Sequence, residues 1–124
     1  QMERIVEKNI PADYEFDLQK HMLHLYETKE YGKYSDKSGK LPVNFIATNH
    51  TTGGNSGSPA LNAKGELIGL NFDRVWEGTM SDLNYDPEIC RNIMVDSRYI
   101  LWVVDKYANA QRLIDEMTII DESK

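Results

Sequence analysis

Ser56 lies in a glycine-rich stretch, TTGGNSGSPALN (residues 51–62), whose residue types allow several kinds of chemistry. A phosphate-binding loop needs a lysine and a serine or threonine directly after its last glycine. Here Ser58 and Pro59 follow instead, and Lys64 comes only in the next turn. A flexible linker would join two independent segments, whereas both flanks of this stretch have strand-like patterns. A plain loop and a turn that carries a nucleophilic serine therefore remain.

The segment GGNSGSP (residues 53–59) resembles the GDSGGP block around the nucleophile of chymotrypsin-type serine peptidases. Under this resemblance Ser56 supplies the nucleophilic oxygen, and the backbone N–H groups of Gly54 and Ser56 form the oxyanion hole. Glycine lets the backbone approach a substrate closely and permits unusual φ angles. Asn55 stands where the usual aspartate receives a freed amino terminus in many secreted relatives. The resemblance thus implies a catalytic serine without that activation switch.

The elements that must position this serine read as an antiparallel sheet. Strand patterns are expected at 43–48, 58–62, 66–73 and 88–96, with a tight hairpin turn at 63–66 and a long loop over 74–87. The order of strand, hairpin and strand after the serine is that of chymotrypsin-like chains, in which the second strand lines the specificity pocket. Four strands are too few to close a barrel, so the chain is expected to be a piece of a larger β domain.

Helical patterns precede and follow these strands. Pro11 and a capping residue, Asp13, open a predicted helix that Gly32 ends. Apolar residues at helical spacing from Ile100 to Tyr107 predict a second helix, and a short one is expected near 113–117.

Composition excludes several classes of function. The formal charge of −6 argues against nucleic-acid and anionic-membrane partners, which call for basic surfaces. No apolar run approaches the roughly 20 residues of a membrane span. Cys90 lies among apolar residues and is predicted to be a buried thiol. His21 and His24 have helical spacing but no third ligand nearby, so no metal site is expected.

Two longer blocks narrow the resemblance. Residues 49–78 and 91–108 resemble the bacterial dipeptidyl-peptidases that remove dipeptides from free peptide amino termini. The similarity is greatest to the Asp/Glu-specific branch, dipeptidyl-peptidase 11, and it is strongest from Leu41 to Ala110. Members of this family are much longer chains, with a double β-barrel and a large inserted helical domain, and the resemblance implies no metal or cofactor.

The expected fold class is mainly β with flanking helices: the C-terminal half of a chymotrypsin-like double β-barrel (the trypsin-like serine peptidase fold). The chain would supply an incomplete barrel plus a C-terminal helix. Three parts are expected: an N-terminal helix with a connecting segment (residues 1–40), the second β-barrel (41–97), and C-terminal helices with a tail (98–124). The second part contains the glycine-rich stretch around Ser56 (within 51–62), called the serine loop below.

The general base is not expected in this chain. His50 is six residues from Ser56 on the same loop, which is a poor position for accepting its proton, and the family places the triad His and Asp upstream in the first barrel. The isolated chain, interpreted as a C-terminal fragment, is therefore expected to be inactive. Its first residues have no signal-peptide character, and a periplasmic or cell-surface location follows from the resemblance alone.

Arg74 carries the expectation about substrate. In the resembling branch an arginine here binds the acidic side chain that precedes the cleaved bond, and a guanidinium suits a carboxylate because it is a planar fork of donors. Phe72 and Asp73 would pair with the substrate strand through backbone groups. The alternative is that Arg74 forms only a weak surface pair with Asp73, Glu77 or Asp82.

The resemblance thus implies a fragment of a serine exopeptidase that releases N-terminal dipeptides with Asp or Glu in the penultimate position. Two alternatives remain: a non-catalytic β domain that binds peptides or a partner, and an acidic-specific serine endopeptidase. The expected partners are an acidic peptide substrate, the first barrel and helical domain of the same protein, and a second copy in a homodimer, with no nucleic acid and no membrane.

Overall fold

The computed structural model describes residues 1–120 and divides the chain into two compact units. One unit, Asn44–Ser97, contains the sheet and the serine loop. The other is formed by Gln1–Val43 together with the chain from Arg98 onward. The last residues of the predicted tail, 121–124, lie outside the described residues.

The sheet unit is a four-stranded antiparallel sheet with the spatial order β1-β4-β3-β2. Its strands are β1 (Asn44–Ala47), β2 (Pro59–Leu61), β3 (Leu67–Arg74) and β4 (Asn92–Asp96). The predicted antiparallel sheet with helices before and after it in the chain is therefore confirmed. The strand expected at 88–96 was wrong at its start, because the Cys90 N–H donates to the Asp86 carbonyl oxygen (2.8 Å) and keeps this segment in a turn.

The hairpin between β2 and β3 is held by one side chain. The Asn62 Oδ1 atom accepts hydrogen bonds from the N–H groups of Lys64 (2.9 Å) and Glu66 (3.0 Å). The Asn62 N–H donates to the Glu66 carbonyl oxygen at 3.0 Å. This is the tight turn expected at 63–66, and it returns β3 directly alongside the strand that follows the serine.

A β-bulge interrupts the pairing of β3 with β4. Asn71 lies opposite Met94 and Asp73 lies opposite Ile93, so Phe72 is the extra residue. A bulge bends the strand and redirects the side chains beyond it. The bulged residue is two positions before Arg74, so the bulge changes the direction that simple alternation would assign to the Arg74 side chain.

The second unit has its own core. The helices are α1 (Met2–Glu7), α2 (Lys20–Glu27), α3 (Ser97–Trp102), which continues as a π-helix over Val103–Tyr107, and α4 (Gln111–Asp115). Its fully buried side chains are Trp102, Tyr34, Met2 and Leu41. The Tyr34 hydroxyl donates to the Asp105 carboxylate at 2.8 Å, and burial, followed by this hydrogen bond, raises the pKa of Tyr34 well above its ordinary value.

The helix predicted from Asp13 was wrong in its first part. The Asp13 carboxylate accepts from the N–H groups of Glu15 (2.9 Å) and Phe16 (3.1 Å), which makes a local turn rather than a helix cap. The Leu18 N–H is held at 2.7 Å by the Asn9 side chain, so α2 begins only at Lys20. Across residues 1–120, no helix combines the length and apolar character needed to cross a bilayer.

Candidate active site

The serine loop has the backbone that its glycines allow. Gly54 and Gly57 have φ angles of +93° and +83°, a region that side-chain-bearing residues rarely adopt. Apart from the adjacent residues in the chain, no described residue has a heavy atom within 4 Å of the place where a Cβ would stand at either glycine. The glycines are therefore required by backbone conformation rather than by crowding.

Asn55 organises the loop from within. Its Oδ1 accepts from the Thr52 N–H at 2.7 Å, and its carbonyl oxygen accepts from the Ser58 N–H at 3.0 Å. An amide that accepts a backbone hydrogen bond in this way stabilises a tight turn. Asn55, which stands in place of the usual aspartate, thus stabilises the chain both before and after Ser56.

Asn71 ties this loop to β3, and sequence reasoning missed it. The Asn71 carbonyl oxygen accepts from Gly57 (2.7 Å) and its N–H donates to Ser58 (2.9 Å). Its side-chain Nδ2 donates to the Asn55 carbonyl oxygen at 3.1 Å. Asn71 is only 6% exposed. The sequence signal for its role was a polar residue inside the otherwise apolar run LIGLNF, because a buried polar side chain needs a hydrogen-bond partner. The loop is held at three points by one strand residue.

A second buried asparagine anchors the segment before the loop. The Thr51 hydroxyl donates to Asn92 Oδ1 at 2.6 Å, and the Asn92 amide donates to the Asn49 carbonyl oxygen. Asn92 begins β4 and is 3% exposed. Both ends of the serine loop are therefore attached to the sheet.

One cavity of about 130 Å³ adjoins the serine loop. It brings together every residue to which the sequence analysis gave a catalytic or substrate-binding role. Its lining is Thr51, Thr52, Gly53, Gly54, Ser56, Asn71, Phe72, Asp73 and Arg74. Ser56, Phe72 and Asp73 are exposed and Arg74 is partly buried. Ser56 and Arg74 thus border one space, which is the arrangement needed to act on a molecule that carries a carboxylate near its reacting group.

Arg74 also makes the surface pair that was its alternative interpretation. Its Nη1 donates to Asp82 Oδ1 at 2.9 Å and to Ser81 Oγ at 2.7 Å, and its Nη2 donates to Asp82 Oδ2 at 3.2 Å. The Arg74 hydrogen bonds are the main cause that lowers the pKa of the Asp82 carboxyl. Asp73 instead accepts from the Arg74 backbone N–H at 2.8 Å. Arg74 therefore pairs with Asp82 and lines the cavity at the same time.

His50 makes its contacts with Ser81 and Tyr85 rather than with the serine hydroxyl. Its Nε2 lies 3.1 Å from the Ser81 carbonyl oxygen, and its ring packs on Tyr85 with centroids 4.8 Å apart. Within residues 1–120 the Ser56 hydroxyl forms no hydrogen bond. The same range contains no group of three His, Cys, Asp or Glu side chains placed to hold a metal ion. As expected, Cys90 is a buried free thiol.

Replacing Asn71 with alanine should destabilise the folded chain. The change leaves the Asn55 carbonyl without its side-chain donor and loosens the loop around Ser56. The loss of such a buried hydrogen bond costs about 1–3 kcal/mol, so the free energy of unfolding should fall by that amount. Urea denaturation followed by circular dichroism measures this free energy. The exposed Asn84→Ala variant is the control, and equal stability of Asn71→Ala and the parent would contradict an anchoring role.

The chain is similar in sequence to known peptidases over almost all of its length. The peptidase S46 family model matches residues 1–119. The chain is 65% identical over 119 residues to an Asp/Glu-specific dipeptidyl-peptidase of Flavobacterium psychrophilum, covering 96% of this chain and 16% of that protein. It is 48% identical to a dipeptidyl-peptidase 7 of Capnocytophaga gingivalis, covering 94% of this chain and 16% of that protein.

Solved crystal structures of an Asp/Glu-specific relative have a similar fold. The crystal structure of Porphyromonas endodontalis DPP11 with the dipeptide Arg-Asp superposes with a TM-score of 0.89 at 54% identity, covering 92% of this chain and 16% of that one. A second crystal structure of the same protein gives a TM-score of 0.90 at 53% identity, covering 93% and 16%. The chain thus spans about one sixth of the length of the relatives it matches.

Proposed function

Because the chain belongs to the peptidase S46 family, we propose that the full-length protein is a serine dipeptidyl-peptidase that releases N-terminal dipeptides with Asp or Glu in the penultimate position. The observation that carries the proposal is that Ser56 and Arg74 line the same cavity. It supplies a candidate nucleophile and a candidate carboxylate-binding cation to one substrate. The relatives named Asp/Glu-specific support the choice of acidic side chain.

Ser56 is the nucleophile in this proposal. Its oxygen forms a bond to the scissile carbonyl carbon while the N–H groups of Gly54 and Ser56 stabilise the oxyanion. The serine proton passes to a histidine base and then to the leaving amine as the C–N bond breaks. Water subsequently hydrolyses the acyl-enzyme and releases the dipeptide. Base and orienting Asp come from outside this chain, in the first barrel.

Arg74 binds the penultimate carboxylate, and the open side of β3 receives the peptide backbone. The strand β2 pairs with β3 only as far as Leu70, and Asn71 bonds to the serine loop. Beyond that point Phe72 and Asp73 have β4 on one side and the cavity on the other. An extended peptide can therefore add there as a strand.

The remainder of the protein completes this half-site. In the proposal the sheet unit belongs to the second barrel of a chymotrypsin-like double β-barrel, a first barrel supplies the triad partners, and a helical domain blocks peptides that extend beyond two residues. A homodimer and a periplasmic or cell-surface location complete the proposal. The hairpin after Ser56 and the cavity beside β3 support the barrel assignment, and cell fractionation of the native host tests the location.

The test of the function uses the full-length protein and dipeptide substrates with a fluorogenic leaving amine. Substrates with Asp or Glu in the second position should be cleaved about 100-fold faster than those with Leu, because a hydrogen-bonded charge pair with Arg74 favours the acidic side chain. Acetylating the amino terminus should abolish cleavage. Equal cleavage of acetylated substrates would instead indicate an acidic-specific endopeptidase, and no cleavage at all would favour a peptide-binding domain.

The isolated 124-residue chain should be inactive. No described residue forms a hydrogen bond with the Ser56 hydroxyl, so the serine lacks the base that raises its nucleophilicity. Turnover should lie at least about 10⁴-fold below that of the full-length protein, because loss of triad members removes that much catalysis. Circular dichroism establishes that the chain is folded. Turnover in this chain that Ser56→Ala abolishes would show that a base lies within it.

A further inference from the structure

We infer that Asp82 is a positioning residue for Arg74 and that it determines which edge of the guanidinium meets the substrate carboxylate. The inference rests on the function proposed above, in which Arg74 binds the penultimate acidic side chain. It adds a specificity residue that lies outside the lining of the cavity.

The hydrogen bonds of Arg74 occupy one side of its guanidinium. A guanidinium has five N–H donors in one plane, and they form two forked edges. The Nη1–Nη2 edge is filled by the Asp82 carboxylate, at 2.9 and 3.2 Å. The remaining Nη1 donor bonds to Ser81 Oγ at 2.7 Å, with the Thr51 carbonyl oxygen at 3.5 Å.

The other edge of Arg74 is left open. Within the part of the chain that the structure describes, the Nε–H and the second Nη2–H donate to no protein atom. These two parallel donors match the two oxygens of a carboxylate. Asp82 and a substrate can therefore bind the same arginine at different edges without competing for a donor.

A short 3₁₀ helix brings Asp82 to Arg74. The helix spans Trp76–Asp82. The residue before it, Val75, is held by a hydrogen bond from its N–H to the Arg91 carbonyl oxygen at 3.0 Å. A Cβ on Gly78 would meet Cys90 Cα at 3.3 Å, so this turn packs closely against the segment before β4. The turn therefore sets the residues at its end against the arginine.

The pair differs from an ordinary exposed ion pair. The Arg74 side chain is 23% exposed, whereas Asp82 is 47% exposed. Ser81 is 4% exposed, and its carbonyl oxygen also contacts His50. Because Ser81 is fixed and buried, the arginine is held before any substrate arrives, and the cost of ordering it on binding is reduced. Asp82 binds a different edge of the guanidinium from the substrate and is close to water, whose high dielectric constant weakens the repulsion between the two carboxylates.

The experiment compares Asp82→Ala and Asp82→Asn in the full-length protein, with kcat and KM measured for penultimate Asp, Glu and Leu. Asp82→Ala should lower kcat/KM for acidic substrates about ten-fold, chiefly through KM, as expected for lost preorganisation. Leu substrates should change less than two-fold. Asp82→Asn keeps an oxygen acceptor for Nη1 and should recover most of the loss.

Glu77→Ala is the matched control, because this carboxylate lies in the same turn and makes no hydrogen bond to Arg74 among residues 1–120. It should leave all three substrates unchanged. If Asp82→Ala does not accumulate, Ser81→Ala tests the same point by removing the other Nη1 acceptor, and a selective loss for acidic substrates is expected.

Two results with Asp82→Ala would overturn the positioning role of Asp82. One is an equal loss for acidic and Leu substrates, and the other is turnover of acidic substrates that is unchanged or faster. The Arg74→Gly variant separates this failure from failure of the proposed function. If Arg74→Gly abolishes the acidic preference while Asp82→Ala changes nothing, only the positioning role is wrong. If Arg74→Gly also keeps the preference, the substrate role of Arg74 is wrong.

Discussion

Replacing Ser56 with alanine in the full-length protein should lower kcat by about 10⁴-fold or more, because removing a triad nucleophile leaves only oxyanion stabilisation and binding. Ser56 is exposed at the cavity and its hydroxyl bonds to no described residue, so the loss of one oxygen disturbs no packing. Binding of a dipeptide product that ends in Asp should remain within a few-fold of the parent. Steady-state kinetics and calorimetry measure the two quantities.

Ser58→Ala is the control for this variant. Ser58 lies two residues away in the same loop, and its backbone groups, not its hydroxyl, bond to Asn55 and Asn71. It should retain turnover. Residual activity in Ser56→Ala comparable to that of Ser58→Ala would exclude Ser56 as the nucleophile and would favour a peptide-binding function for the loop.

Replacing Arg74 with glycine should remove the acidic preference that we propose for the full-length protein. Two parallel hydrogen bonds from a guanidinium to a carboxylate are strong and selective, so kcat/KM for penultimate Asp and Glu should fall by roughly two orders of magnitude. Substrates with Leu should be cleaved as well as before or better, since the cavity gains apolar room. The ratio of kcat/KM values for Asp and Leu substrates is the measurement.

Arg74→Lys gives the graded comparison. A lysine keeps the positive charge but presents it as a point rather than a planar fork, so the preference should be reduced and not lost. An Asp-to-Leu ratio that is unchanged in Arg74→Gly would mean that the pair with Asp82 is the whole role of Arg74.

The hairpin and the serine loop could be predicted from sequence because their conformations depend on neighbouring residues. Asn62 closes its turn with hydrogen bonds to residues two and four positions ahead, and Gly54 supplies a positive φ angle by itself. The prediction from Asp13 failed for the opposite reason. The Asn9 side chain reaches across nine residues to hold Leu18, and no helical period in the sequence records that contact.

By itself, the sequence determined the residue types at the candidate site: a serine in a glycine turn, a hairpin behind it, and an arginine at the end of the returning strand. The tertiary structure alone decided how they are used. The bulge at Phe72 redirects the strand before Arg74, Asn71 and Asn92 hold the loop across 16 and 43 residues of sequence, and a 3₁₀ turn brings Asp82 to one edge of the guanidinium. Turns follow local backbone preference, whereas the direction of a side chain in a sheet depends on strands that the chain reaches only after folding.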